Sequence, residues 1–444
     1  MSSPAQKPPS PSPGAEGAPV NTAGAPADLA LPTRLLITVF LPFAGGFFLS
    51  FLFRSVNALI AKDLAGEFGL SPADIGLLTS TYLLAFAAMQ VPVGVLLDRY
   101  GPRRVVAALL CFAGIGALMF GLAQGLWTLT LGRALIGFGV SACLMGSMKA
   151  YSMWFPLERI ATLNGWTIAA GGIGALAATT PMEALLGPFG WRAVFIGLAL
   201  CCWGTAFAIF SVVPEKPLPG RAERWGEAFG RVLTVMRSHA FWRLGSALWL
   251  SHAVYQVMFG LWIAPWLVDV GGLTRADAAA HMFAATLAYT LGSVFFGWLS
   301  DWLGDHGYSR MGVYKAGAGV VALAFAGIAF DVCAGMPQLR MPLLVIYALG
   351  AISGSLAYSL ITISFPPDMT GRVTTAVNVA MFSVSFACQF GIGVALQAFP
   401  STGGRYAPEG YMTVFGVLTL AQAAVFLWLL SARDQPRLPP RSSP

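Results

Sequence analysis

Gly94-Val-Leu-Leu-Asp98-Arg99-Tyr100-Gly101-Pro102-Arg103-Arg104 separates two apolar runs, 74–97 and 104–124, and the reading of this stretch decides the fold. A run of about 20 apolar residues wound as a helix crosses the roughly 30 Å hydrocarbon core of a bilayer. Two such runs joined by a short charged stretch make a helical hairpin whose turn stays in water. Barrel strands would instead show about ten residues alternating in polarity. These runs are continuously apolar, and in lipid helices are the remaining way to satisfy every backbone group.

The same pattern recurs along the chain. Apolar runs occupy 35–60, 74–97, 104–124, 128–152, 162–186, 191–213, 243–268, 277–302, 311–335, 341–364, 373–398 and 411–431, twelve in all. Composition agrees, with 57% of the 444 residues hydrophobic and 10% charged, against about 25% charged in a soluble domain. So few charges cannot cover a globule of this size, and lipid must be the solvent. Glycine, at 51 residues, suits membrane helices that pack closely. The expected fold is an all-α membrane protein of twelve transmembrane helices in two pseudo-symmetric six-helix bundles.

The organisation follows from where polarity returns. Residues 1–33, rich in Pro, Ser, Ala and Gly, read as a disordered cytoplasmic tail without the charged start and apolar core of a secretory signal. Residues 34–213 form the first bundle, 214–242 a cytoplasmic central loop, 243–431 the second bundle and 432–444 a second cytoplasmic tail. With both termini cytoplasmic, 19 of the 26 Lys and Arg lie in cytoplasmic loops, tails or helix ends. Lys62, Arg192, Arg275, Arg340 and Arg405 lie outside, and Arg54 and Arg133 lie within spans. The bias sets the orientation in the inner membrane. The halves also echo each other: Gly94 to Asp98 is matched by Gly297 to Asp301, and Trp154-Phe155-Pro156 with Arg159 and Asn164 by Phe365-Pro366 with Arg372 and Asn378. Two matches at equivalent places indicate duplication, the usual architecture of secondary transporters.

The Gly94, Asp98, Arg99, Gly101, Arg103, Arg104 pattern resembles the signature loop of the major facilitator superfamily, and the resemblance spans roughly residues 35–430. Pro102 departs from it, displacing the basic pair by one position, and in the second copy Trp302 replaces the arginine. The resemblance implies a gate. A carboxylate at a helix C-terminus, as at Asp98, becomes favourable only when a cation or another helix's amino end faces it, and Gly297 and Asp301 would repeat the device. The superfamily also implies that the first and fourth helices of each half line the cavity. It further associates an arginine followed by glycines in the fourth helix, here Arg133 before Gly137 and Gly139, with transport.

Candidate substrate-binding residues are the polar groups inside spans, since an intramembrane charge is costly enough to suggest function. Arg54 in the first span is the foremost. Arg133 also reads as a snorkeller near the outer end, and Lys149 as one near the inner end. The two lie roughly 24 Å apart at about 1.5 Å per residue, so at most one serves a central site. His252, Tyr255 and Gln256 share one face of the seventh span; Asn378 and Gln389 on the eleventh are weaker candidates, because lone amides often bridge helices. No Asp or Glu falls in mid-span, Glu183 and Asp269 being near span ends. The available cavity charge is positive, which favours an anionic solute.

Other classes are disfavoured. Basic residues at the ends of apolar runs do not make a nucleic-acid face. The four histidines and six cysteines lack metal-ligand or disulfide spacing, so no metal is expected, and no phosphate-binding Gly-Lys-Ser/Thr loop appears. The expectation is therefore a cofactor-free, monomeric secondary transporter and not an enzyme, moving an organic or phosphorylated anion by alternating access, with a proton as candidate coupling ion. Proton-coupled efflux of drugs or metabolites, and a non-transporting membrane sensor or scaffold, stay open as alternatives.

Overall fold

The computed structural model describes residues 33–217, 225–366, 369–402 and 405–431; the tails and the middle of the central loop lie outside the described residues, as do the side chains at 161, 294, 297 and 301. The first half comprises α1 (Thr33–Ser55), α2 (Asn57–Phe68), α3 (Pro72–Gly121), α4 (Leu126–Trp154), α5 (Leu157–Ala177) and α6 (Thr180–Val212). After α7 (Trp225–Met236), the second half holds α8 (His239–Asp269), α9 (Arg275–Asp305), α10 (Arg310–Ala329), α11 (Pro337–Ile363), α12 (Thr370–Leu396) and α13 (Pro408–Leu430). The small hairpin of Ser401–Thr402 and Arg405–Tyr406 precedes α13.

Ten of the described helices are long and apolar enough to cross a membrane, and α9, bent by 51° between Ser293 and Trp298, makes eleven. At 50 residues α3 would extend about 75 Å, more than twice a hydrocarbon core. Its helix is interrupted at Gly101, whose φ of 79° is open to glycine and strained for other residues. Divided there, α3 supplies two crossings and the count matches the twelve expected. Gly190, with φ 70°, likewise divides α6 into a short arm that prolongs α5 and a full crossing. An even number of crossings puts both ends of the chain on one side, here termed the terminal face; the opposite side is the far face.

Local sequence explains where helices start. Ser71 caps α3 by accepting from the Asp74 amide at 3.2 Å while the Asp74 carboxylate accepts from the Ser71 amide at 3.0 Å, and Pro72 occupies the first turn. Small residues then explain how closely the helices approach. A β-carbon at Gly116 would lie 2.7 Å from the Gly132 carbonyl oxygen, and one at Gly132 would lie 2.9 Å from the Gly116 carbonyl oxygen. Gly137 packs on the Tyr82 backbone and Gly139 on Ala113, so α4 is wedged between the two arms of α3. The glycines after Arg133 are thus a packing surface.

The central segment contains more than a loop. Ala228, Val232 and Val235 of α7 share one face and are buried, joining a cluster with Val91 and Val95 of α3 and Val373, Ala376 and Val377 of α12. An amphipathic helix therefore lies across the seam between the halves at the terminal face. The eight charged residues of 214–242 mask this apolar face in the sequence.

The close glycine contacts give a stability prediction. Gly139→Val forces branched bulk into a contact already closed at the β-carbon, and should cost about 1–3 kcal/mol or more, read as a lower midpoint of thermal unfolding in detergent. Gly197→Ala, where a β-carbon meets nothing within 4 Å, should leave the midpoint unchanged.

Candidate transport site

The helix α1 gives way to α2 at Val56, and two arginines meet this turn in different ways. Arg133 of α4 is fully buried; its Nη1 donates to the Phe53 carbonyl at 2.9 Å and its guanidinium lies 5.0 Å from the Tyr82 ring centroid. It ties α4 to the turn inside the first half. Arg54, the next residue along, lies in the last turn of α1 and is partly exposed. Its guanidinium carbon lies 4.6 Å from the Phe51 ring, 5.3 Å from Phe86 and 5.1 Å from Phe382. The Arg54 Nε is buried with no hydrogen-bond partner, and among the described residues no carboxylate pairs with Arg54. Three ring faces stabilise a cation while leaving its N–H groups unused. Phe382 belongs to the second half, so this charge stands at the seam.

Across the seam α8 presents His252, Tyr255 and Gln256. The His252 Nε2 and Gln256 Oε1 lie 3.2 Å apart, and the Gln256 amide nitrogen is buried without a partner. Tyr255 stacks on Tyr289 of α9 at 5.1 Å and faces Tyr347 of α11 at 5.8 Å. His252, Tyr255 and Tyr289 are partly exposed inside the bundle, and a β-carbon at Gly260 of α8 would lie 3.5 Å from the Arg54 carbonyl oxygen. The structure thus brings Arg54 and the α8 triplet toward one internal space. Asn378 of α12 instead donates to Gln90 of α3 at 3.1 Å and meets the Tyr358 hydroxyl at 3.4 Å, bridging the halves on the terminal side of Arg54. Gln389 is buried farther along α12, where its carbonyl abuts Gly76.

The terminal face carries the signature turn. Asp98 accepts from Lys149 of its own half at 2.9 Å, so Lys149 stands at the terminal face and away from Arg54. The cation that approaches from the second half is Arg372, whose Nη1 comes within 3.3 Å of where a Gly94 β-carbon would lie. Arg99 lies over Tyr100, Arg103 donates to the Phe210 carbonyl at 2.8 Å, and Arg104 pairs with Glu215. Gly297 and Asp301 lie on α9 near and beyond its bend, with side-chain surroundings outside the described residues.

Sequence reasoning overlooked two features. Phe51, Phe86, Phe382, Tyr289 and Gln90 surround the candidate residues, yet aromatics in apolar runs carry no signal of their own. The far face holds the second. Lys62 pairs with Asp269, and Arg275 pairs with Asp63 at 2.8 Å and with Glu183 at 2.7 Å; each pair joins one half to the other. The Asp269 carboxylate also accepts from the Tyr411 hydroxyl at 3.0 Å and the Tyr406 amide at 3.3 Å. Burial, and then this carboxylate, pushes the Tyr406 phenol up to about 12, so it stays neutral at physiological pH. The sequence offered these groups only as span ends.

Two halves of membrane-crossing helices, joined by ion pairs across one face, are the architecture of a solute transporter of the membrane. The chain belongs to the Major Facilitator Superfamily, whose family model matches residues 43–388; its members are transporters, not enzymes. A probable sulfoacetate transporter of Cupriavidus necator is 24% identical over 412 residues, 88% of this chain and 87% of its own length. A probable L-galactonate transporter of Escherichia coli K12 is 24% identical over 363 residues, 76% of this chain and 78% of its own. The crystal structure of a bacterial homologue of the human lysosomal transporter Spinster shares the fold with a TM-score of 0.68 at 19% identity, covering 90% of this chain and 95% of that one.

The far-face pairs differ in strength, which is testable. Arg275, Asp63 and Glu183 are partly exposed, so each of their pairs contributes about 0–1 kcal/mol. The Asp269 side chain is fully buried while Lys62 is as exposed as Arg275, so removing the lysine leaves a buried carboxylate one partner short and should cost about 1–3 kcal/mol. With a cysteine introduced at Ser55, Asp63→Asn should raise labelling by a far-side, membrane-impermeant maleimide severalfold at most, and Lys62→Gln by tenfold or more. Equal labelling of Lys62→Gln and the parent would show that the far face is held by something else.

Proposed function

We propose that this chain is a secondary active transporter that carries a small organic anion across the membrane by alternating access, the anion pairing with Arg54. The observation that supports it is the Arg54 guanidinium, held at the seam by Phe51, Phe86 and Phe382 with no carboxylate counterion among the described residues. An anion moved to mid-membrane needs compensating charge there, and this cation has donors to spare. The sulfoacetate and L-galactonate named for the two relatives are both carboxylates, which supports the same class. His252 and Gln256 on the facing helix add hydrogen-bonding groups for the uncharged part of the solute, and a proton remains the candidate coupling ion. Arg133, satisfied by a backbone carbonyl, serves the architecture of the first half in this reading.

The terminal face is the cytoplasmic one, because Lys and Arg concentrate there; both termini then lie in the cytoplasm of a bacterial inner-membrane protein that works as a monomer. Far-face closure by the Lys62 and Arg275 pairs leaves solute exchange to the cytoplasmic side, and the halves rock about Arg54 to reach the other state. Efflux of lipophilic cations is the second reading. It requires a coupling carboxylate, and its candidate, Glu183, is engaged by Arg275 at the far face.

The test is uptake of a panel of labelled organic anions, cations and neutral solutes into proteoliposomes. An anion should be the transported solute. Arg54→Gln should lower its uptake tenfold or more, the worth of a charged hydrogen-bonding partner, and Arg54→Lys should be impaired as well because a point charge replaces a planar fork. Normal uptake by Arg54→Gln would remove the assignment.

A further inference from the structure

Cations also collect away from the seam. On the terminal face a pocket of about 380 Å³ is lined by Arg99, Arg103 and Arg104 of the signature turn, Trp154 at the end of α4, and Glu215 and Lys216 just past α6. Among the described residues four cationic side chains thus converge with a single carboxylate. That carboxylate pairs with Arg104 and lies 3.6 Å from the Arg103 Nη1. Both Glu215 and Arg104 are more than half exposed, so the pair is screened by water and readily exchanged for another anion.

The remaining contacts place the pocket at the edge of the hydrocarbon. Arg103 donates its Nε to the Phe210 carbonyl at 2.8 Å and lies 5.1 Å from the Phe210 ring centroid. Lys216 donates to the Met153 carbonyl at 2.5 Å and sits 5.1 Å over the Trp154 ring. Both cations are therefore held in position by backbone oxygens and rings, with N–H groups left for a ligand. Beside the pocket, α6 presents Phe207, Phe210 and Val212, exposed by 73%, 53% and 44%. Large apolar side chains so exposed on a membrane helix face lipid tails, and a tryptophan at the same level marks the interface. Basic pockets of this kind at a helix end match anionic headgroups.

We propose that this pocket binds the phosphate group of an anionic phospholipid, with Arg99, Arg103, Arg104 and Lys216 around the phosphate and the acyl chains along Phe207 and Phe210 of α6. Glu215 competes with the phosphate for Arg104. The ligand chemistry, a singly or doubly charged phosphate, is shared by a lipid headgroup and by soluble phosphate; the apolar face of α6 favours the lipid. Because the signature turn joins the two arms of α3, occupancy of the pocket acts on the element that also carries Asp98. The site is independent of the transported solute.

The test uses the purified full-length protein in detergent, with bound lipid counted by native mass spectrometry during titration with phosphatidylglycerol or phosphatidylcholine of matched chains. Phosphatidylglycerol should be retained at least tenfold more tightly. Arg104→Gln should weaken its retention about fivefold, the contribution of one basic residue at a membrane surface. Glu215→Gln should strengthen it, and opposite signs from two adjacent charge changes cannot arise from misfolding. Equal retention of the two lipids, or no change in either variant, overturns the site. Displacement of phosphatidylglycerol by an equal concentration of inorganic phosphate overturns the lipid and leaves soluble phosphate as the ligand.

Discussion

A bilayer offers no partner for an unpaired peptide group, and the rest of this molecule follows from that constraint. Every crossing has to be a helix, and helices without a hydrophobic drive between them associate through close packing. Glycine at 116, 132, 137 and 139 lets backbone meet backbone between α3 and α4. The turn at Val56 lies next to a carbonyl, that of Phe53, which accepts from an arginine. The polar contacts that join the halves lie at the faces of the bundle and along the seam between them.

The seam is held unevenly along its length. At the far face three ion pairs join the halves, one of them with a fully buried carboxylate. Toward the terminal face the direct links are an amide pair, Asn378 with Gln90, the approach of Arg372 to Gly94, and the amphipathic α7 laid across both halves. Apolar packing of α3 on α12 adds to them, with Val91 and Val95 against Val373, Ala376 and Val377 and the Phe86 and Phe382 rings 4.3 Å apart. Partly exposed ion pairs and single hydrogen bonds each contribute about a kilocalorie or less, a scale on which a solute of ordinary affinity can shift a population.

Two arginines of the first half occupy opposite kinds of surroundings. Arg133 is enclosed and bonded to a backbone oxygen of its own half, whereas Arg54 is ringed by aromatic faces and looks across to the other half. Cation–π contacts steady a guanidinium without consuming its N–H groups. Its donors stay available to an anion, which a carboxylate partner would have preempted.

The chain by itself determined the class of fold, because continuous apolar runs near 20 residues and a shortage of charge have one physical solution in lipid, and it pointed to a duplication, because the Gly94 to Asp98 spacing recurs at Gly297 to Asp301 and Trp154-Phe155-Pro156 is echoed by Phe365-Pro366. It also pointed to Arg54, since a charge inside an apolar run is conspicuous at any position in the helix. Only the tertiary structure decided which polar residues share a space. Lys149 met Asp98, Asn378 met Gln90, and Lys62 and Arg275 became ties between halves. Those pairings join residues 51 to 288 positions apart. Helix periodicity reports which face a residue occupies, while the neighbour on that face is set by how separate helices pack, and that lies beyond any local pattern.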